Sequence, residues 1–348
     1  MTARCNLCLR YLRSFGLIVA LAVAGCSDSK SGSNGNSGTS STEGLSKHDA
    51  AIAAIKELGG RVEINTQLPD KPVTAVHLGR AKVTNDDLSA LTEFPHLNQL
   101  HLFETKIGDD GLKHIAQLTE LEVLGLKGTE VTGAGVKQLK PLTKLRKLYL
   151  NETKVDDIGM ESVQAMPNLE VLWLADTAVT SDGLKNIAGL SALRDVDLKH
   201  AQVDDDSMAH LAGATHLRRL NLSGTPIGDA GLKRLQDLVE LEELDLEGTQ
   251  ISSEGIAYLK GMKNLGVLWL VNTKVGDEGI TQLRGLPNLR ELDISGTQVT
   301  DACMESLMDV PTLEILNVTN TAVTAEGAGT LKKKLSAIHI APYTKIAN

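Results

Sequence analysis

Leucines stand at 97, 121, 145, 169, 193, 217, 241, 265, 289 and 313, a step of 24 residues without an insertion. Val73 extends the series backwards, so eleven units fill 73–336. A fixed period of this length signals one supersecondary unit stacked layer on layer. The pattern changes inside each unit. In the unit that begins at Leu217, Leu220 and Leu222 alternate as in a strand, while Leu232, Leu235 and Leu238 recur at helical spacing. Asp229, and Ser253 in the next unit, stand just before the helical stretch and are expected to N-cap it. Position nine is Thr in nine units, and only Ala81 and Ala201 depart from this. Its hydroxyl is expected to bond backbone groups left open where the strand turns, layer after layer. Strand, turn and helix in 24 residues, joined by right-handed crossovers, predict an α/β repeat solenoid with a parallel sheet on one face and helices on the other.

An open stack exposes apolar end layers and needs covers. Residues 46–72 supply the first. Ser46-Lys-His-Asp49 reads as a capping-box start, a helix follows to Leu58 and stops at Gly59-Gly60, and Val62 and Ile64 alternate as a strand. At the other end Lys332, Lys333 and Lys334 suit the negative end of the last helix dipole. Residues 337–348 read as a closing strand, with Ile338 and Ile340, and a tail.

The unit L-x-x-L-x-L-x-x-T-x-V-T-D-x-G-L-x-x-L resembles the leucine-rich-repeat family, in eleven copies over three quarters of the chain. The resemblance implies a right-handed horseshoe whose strand-lined concave face binds partners. A related version with Cys at position nine serves as an F-box adaptor. Thr stands there in this chain, and that role does not carry over.

Before the repeats, Arg4, Arg10 and Arg13 precede the apolar run from Phe15 to Gly25. A run of about 11 residues has signal-peptide length, whereas a span needs about 20. It ends in Val23-Ala24-Gly25-Cys26, which resembles the lipobox of bacterial lipoproteins. The resemblance implies removal of 1–25 and lipid on Cys26, hence a protein anchored in a cell envelope, on the periplasmic side or at the cell surface. Residues 26–45 are Ser, Gly, Asn and Thr with hardly an apolar side chain, which predicts a flexible tether. Cys5 and Cys8 lie in the segment to be removed, and Cys303 is left without a disulfide partner.

Composition narrows the function. Aromatic residues make up 3% of the chain, which suits many thin layers of Leu, Val and Ile. Formal charge is −9, and it becomes −12 without the three arginines of the first 25 residues. So acidic a body does not condense on nucleic acid or on an anionic lipid surface. Membrane contact is expected through the lipid alone. No G-x-S-x-G, H-E-x-x-H or phosphate loop is present, so no enzyme and no cofactor is predicted.

Positions three and five of each unit point away from the core, and packing does not dictate them. There stand Tyr149, Trp173, Asp195, Asp197, Arg219, Asn221, Glu243, Asp245, Trp269, Glu291 and Asp293. Exposed tryptophans on a concave sheet are costly unless a ligand covers them. The acids form a field suited to a cationic ligand, or a solvated face with weak salt-bridge rungs. Around Trp269 the carboxylates of the flanking units are expected about 10 Å away on each side. His77 and His101 share position five in adjacent units, but Glu104 is their only nearby carboxylate, so no metal site is predicted. Asp197 and Asp245 have a spacing that an inverting glycosidase could use, yet no apolar pocket is expected to raise either pKa. The reading is a non-catalytic module that binds a protein or peptide on its concave face. Alternatives are envelope-glycan recognition by Tyr149, Trp173 and Trp269, or a structural spacer.

Overall fold

The computed structural model describes residues 46–341, within one compact unit, Gly44–Asn348. The expected signal peptide, Cys26, the tether up to residue 45 and the tail after residue 341 lie outside the described residues.

Helix α1 (Lys47–Glu57) begins at Ser46, whose Oγ accepts from the Asp49 amide at 3.1 Å. It buries Ala51 and Ile55 against the first repeat. Strand β1 (Arg61–Ile64) runs antiparallel to β2 (Val73–His77). From β2 onward every pairing is parallel and in register at 24-residue steps. The strands are β3 (Gln99–His101), β4 (Val123–Gly125), β5 (Lys147–Tyr149), β6 (Val171–Trp173), β7 (Asp195–Asp197), β8 (Arg219–Asn221), β9 (Glu243–Asp245), β10 (Val267–Trp269), β11 (Glu291–Asp293), β12 (Ile315–Asn317) and β13 (His339–Ala341). They form one open sheet in chain order, a leucine-rich-repeat horseshoe with helical segments between the strands. Val76 in β2 and the central residue of each strand from β3 to β12, such as Leu244 or Leu268, are wholly buried. Each such leucine contributes roughly 2 kcal/mol by removing its side chain from water.

The helical side is looser than the leucine spacing predicts. Asp229–Arg234 is a six-residue α-helix that ends before Leu238. The units with Asp86–Glu93, Asp206–His210 and Gly255–Gly261 have only 3-10 turns there. Apolar side chains at this spacing are anchored by the layers above and below, so short or tight turns suffice.

Asp229 and Ser253 are not local caps. The Asp229 carboxylate accepts from the amide and hydroxyl of Ser252, one unit on, at 2.9 and 2.5 Å. Ser253 Oγ accepts from the Gly276 amide at 2.9 Å. Asp109, Asp157, Asp277 and Asp301 repeat the Asp229 arrangement with Thr132, Thr180, Thr300 and Thr324. Thus the polar turn of most layers is capped by the layer before it; the exception inside the stack is the fourth, where Gly133 offers no acceptor and the Asp156 carboxylate turns to its own Ile158 amide. The first unit has no earlier repeat, and its Thr84 amide turns to its own Asp87 at 2.8 Å. In the last unit Ala325 stands where the ladder's acceptor would be.

The same ladder explains the glycine of the D-x-G-L motif. A methyl on Gly135, Gly183, Gly255 or Gly327 would overlap the carboxylate of Asp109, Asp157, Asp229 or Asp301. Position-nine threonines act within their own layer, as Thr225 does by donating to Leu222 O at 2.6 Å. Position eight turns left-handed in all eleven units, from Arg80 through Asn272 to Asn320. Glycine fills it in only four of them.

Gly255→Ala should destabilise the protein by about 1–3 kcal/mol, as overpacking does. Asp229→Ala should also destabilise, through the lost Ser252 bonds. Because the methyl and the carboxylate compete for one space, urea unfolding of the double variant should show a loss well below the sum of the two. Strict additivity would mean that the glycine is required for another reason.

Candidate functional site

Positions three and five of β5 to β11 lie side by side on the concave sheet face. Asp195 pairs in register with Val171 and Arg219, and Trp269 with Asp245 and Asp293. The acids beside Trp269 are therefore one strand away, about 4.8 Å at the backbone, and not 10 Å. Parallel in-register stacking puts every position-five residue next to its counterparts in both neighbouring layers.

The expectation of exposed tryptophans is corrected. Trp173 is 8% exposed and Trp269 2%. On the concave side neighbouring side chains converge and cover each other. Tyr149 meets the Trp173 ring edge to face at 4.8 Å between centroids. The Trp173 indole donates to Asp195 Oδ1 at 3.0 Å, and Arg219 Nε donates to Asp195 Oδ2 at 2.9 Å. Asp195 is thus a buried acceptor shared by an indole and a guanidinium. From Val171 to Ser223 the face forms a closed lattice in which Asp195, Asp197 and Asn221 are also buried.

The position-five acids and amides have a structural duty as well. Asp197, Asn221, Asp245 and Asp293 each accept from the backbone amide two residues on, at Lys199, Ser223, Glu247 and Ser295, at 2.9 to 3.1 Å. This Asx turn ends the strand and fixes the carboxylate in place. The remaining oxygen of Asp293 accepts from Asn317 Nδ2 at 2.8 Å. That of Asp197 accepts from Asn151 Nδ2 at 3.3 Å, two layers away. Asn151 and Lys199 occupy position seven, which follows three and five on the same period of two. That period was the signal for them, and a reading that stopped at position five passes over it.

Burial also overturns the expected absence of a pKa-raising environment. It pushes Asp197 to about 6, although the Lys199 amide opposes the shift. Asp245 rises to about 7 for the same reason, against the Glu247 amide. Glu243 rises to about 7 by burial, against the attraction of Arg219. None of these three carboxyls has a basic side chain within 4 Å among the described residues, because Arg219 is engaged by Asp195. Glu291 is half-buried on β11, the next strand but one from Glu243.

At the start of the sheet His77 and His101 stack in parallel at 5.0 Å, and His77 Nε2 lies 2.9 Å from Glu63 Oε1. Burial and the neighbouring His77 lower His101 to about 4. Glu104 instead receives the Arg80 guanidinium at 2.7 Å. No group of three metal-ligating side chains occurs among the described residues.

A leucine-rich-repeat family model matches residues 95–116, 213–235, 241–260 and 285–308. No curated protein matches the sequence. The fold is similar to an internalin from Listeria monocytogenes, at 18% identity and a TM-score of 0.60, over 86% of this chain and 94% of that one. It is also similar to a leucine-rich-repeat protein of Leptospira interrogans, at 20% identity and a TM-score of 0.50, over 73% and 74%. A third similar structure is the ectodomain of the receptor kinase GASSHO1/SCHENGEN3 from Arabidopsis thaliana, solved in complex with Casparian strip integrity factor 2. There identity is 18% and the TM-score 0.52, over 79% of this chain and 39% of that one.

Two outcomes separate this buried lattice from an open surface. Trp269→Ala should lower stability by about 3–5 kcal/mol, as removal of a core indole does; a urea midpoint near that of the parent would mean an exposed ring. Asp245→Asn tests the raised carboxyl. The folded protein keeps a proton there that the unfolded chain releases near pH 4, so folding is penalised increasingly as pH rises from about 4 to 7. The Asn variant should be more stable than the parent by about 1–3 kcal/mol at pH 8, and the gain should shrink toward pH 4. A gain independent of pH would contradict the assignment.

Proposed function

Because the chain belongs to the leucine-rich-repeat family, we propose that it is a non-catalytic module that binds a protein or peptide on its concave sheet face. The partner carries basic side chains. One observation supports this most: Asp197, Glu243 and Asp245 share the face and have no basic partner within 4 Å among the described residues. A partner's Lys or Arg would supply the missing charge and hydrogen-bond donors together. Half-buried Arg219, Glu243, Asp245, Val267 and Glu291 are the groups such a partner can reach. The complex recorded for the plant ectodomain is consistent with a fold that recognises other molecules. Sugar recognition needs an open ring face, and the burial of Trp173 and Trp269 argues against it. In the same reading Cys26 carries lipid, and the body is held to an envelope membrane by residues 26–45.

Recovery of partners from the native envelope with the full chain tests the binding reading. Glu243→Gln with Asp245→Asn should weaken the recovered complex at least tenfold, and raising salt should weaken the parent complex in the same direction. Undiminished affinity in the double variant would remove the concave carboxyls from recognition. For the anchor, Cys26→Ser should move the protein from the detergent phase to the aqueous phase or leave its leader uncleaved. Equal partitioning of variant and parent, with no lipid label in either, would contradict it.

A further inference from the structure

Asn151 is 7% exposed, and its amide oxygen is buried without a donor. Its Nδ2 donates to Asp197 Oδ2 at 3.3 Å, a bond that skips the whole layer of Trp173 and Ala175. Asp197 is itself buried, with its other oxygen on the Lys199 amide at 3.1 Å. A buried amide oxygen with no donor, next to a buried carboxylate, lacks one hydrogen. Protonation of Asp197 can be accommodated there: the amide turns over, the carboxyl O–H donates to Asn151 Oδ1, and Nδ2 takes the unpaired place that Oδ1 held. The contact survives with its direction reversed and one negative charge removed. Two layers on, Glu243 Oε2 is a second buried acceptor without a donor. Burying it uncharged is the less costly state.

We infer that Asn151, Asp197, Glu243 and Asp245 make the concave face a proton-gated receptor, which holds a basic peptide at neutral pH and releases it in mild acid. This rests on the concave face being the binding surface and adds its regulation. Burial is the largest cause of proton uptake at each carboxyl, and neighbouring acids add to it. Asp197 faces Asp195 and Lys199 on its own segment, Asp176 from the layer before and Asp245 from two layers on. Glu243 faces Arg219, Asp195, Glu242 and Glu291. Asp245 faces Glu247, Lys199 and Asp197. The attraction of Arg219 opposes the rise at Glu243, although Arg219 is itself held by Asp195 at 2.9 Å. Together these place proton uptake by the three carboxyls near pH 6 to 7. A bound cation favours the ionised forms, so binding expels protons and acid expels the cation, as linkage requires.

Two measurements on the full chain test the gate. Carbon-13 labelling of Asp and Glu side chains reads the ionisation of the free protein, and a deca-lysine peptide serves as the probe at pH 7.5 and pH 5.0 at one ionic strength. Carboxyl midpoints for Asp197, Glu243 and Asp245 should fall between about 5.5 and 7.5. The peptide should bind at least tenfold more weakly at pH 5.0. Glu243→Gln with Asp245→Asn should abolish most of that pH dependence. Midpoints below 5, or equal affinity at both pH values, overturn the gate while leaving the concave binding face intact. Failure of the peptide to bind at pH 7.5 overturns the basic-partner reading, and the gate falls with it.

Discussion

Nearly every layer of this protein completes the polar turn of the next, Gly133 being the one interior position without an acceptor. The carboxylate of Asp229 serves Ser252, that of Asp277 serves Thr300, and that of Asp301 serves Thr324, always one unit on. An isolated unit would leave these groups to water and its leucines exposed, so no unit is stable alone. The invariant 24-residue step follows from this constraint. One inserted residue would move the carboxylate off its partner amide and bring a side chain into the space reserved for glycine. The ends obey the same logic, with Thr84 capped inside its own unit and Ala325 closing the series.

On the concave face the same stacking has a different result. Residues that alternate outward from a three-residue strand meet their counterparts in the next layers at strand spacing, so large side chains bury each other. Trp173, Asp195 and Arg219 become one hydrogen-bonded set, and Asp197 and Asp245 are held by their own turns. Fixing carboxylates in a closed lattice raises the free energy of their ionised forms. It also pre-organises them for a cation, since no side-chain entropy remains to be lost on binding. The raised cost of ionising these acids and the basic partner proposed for them have one cause.

The repeat, its parallel sheet and the outward positions were legible because periodicity alone carries them. Less visible were relations between layers. Asp229 read as a local helix cap because sequence places it beside its helix, while its actual partner, Ser252, is adjacent only after stacking. Trp173 and Trp269 read as exposed because alternation gives direction and not coverage. Coverage depends on Tyr149, Asp195 and other neighbours 24 residues away. The raised carboxyls are not legible because no apolar pocket surrounds them in the sequence pattern, whereas close-packed polar neighbours exclude water as effectively. Asn151 lay one step beyond the positions considered, on the same strand period.

The proposed recognition runs through the concave sheet between β8 and β11 and depends on Glu243 and Asp245. Photo-crosslinking in the native envelope tests it directly, with the reactive side chain placed either at half-buried Val267 on the concave strand or at exposed Ala257 on the opposite side. A discrete partner adduct is expected from position 267, diminishing as salt is raised, and none from position 257. Adducts from position 257 with none from 267, or a yield at 267 indifferent to salt, would contradict it.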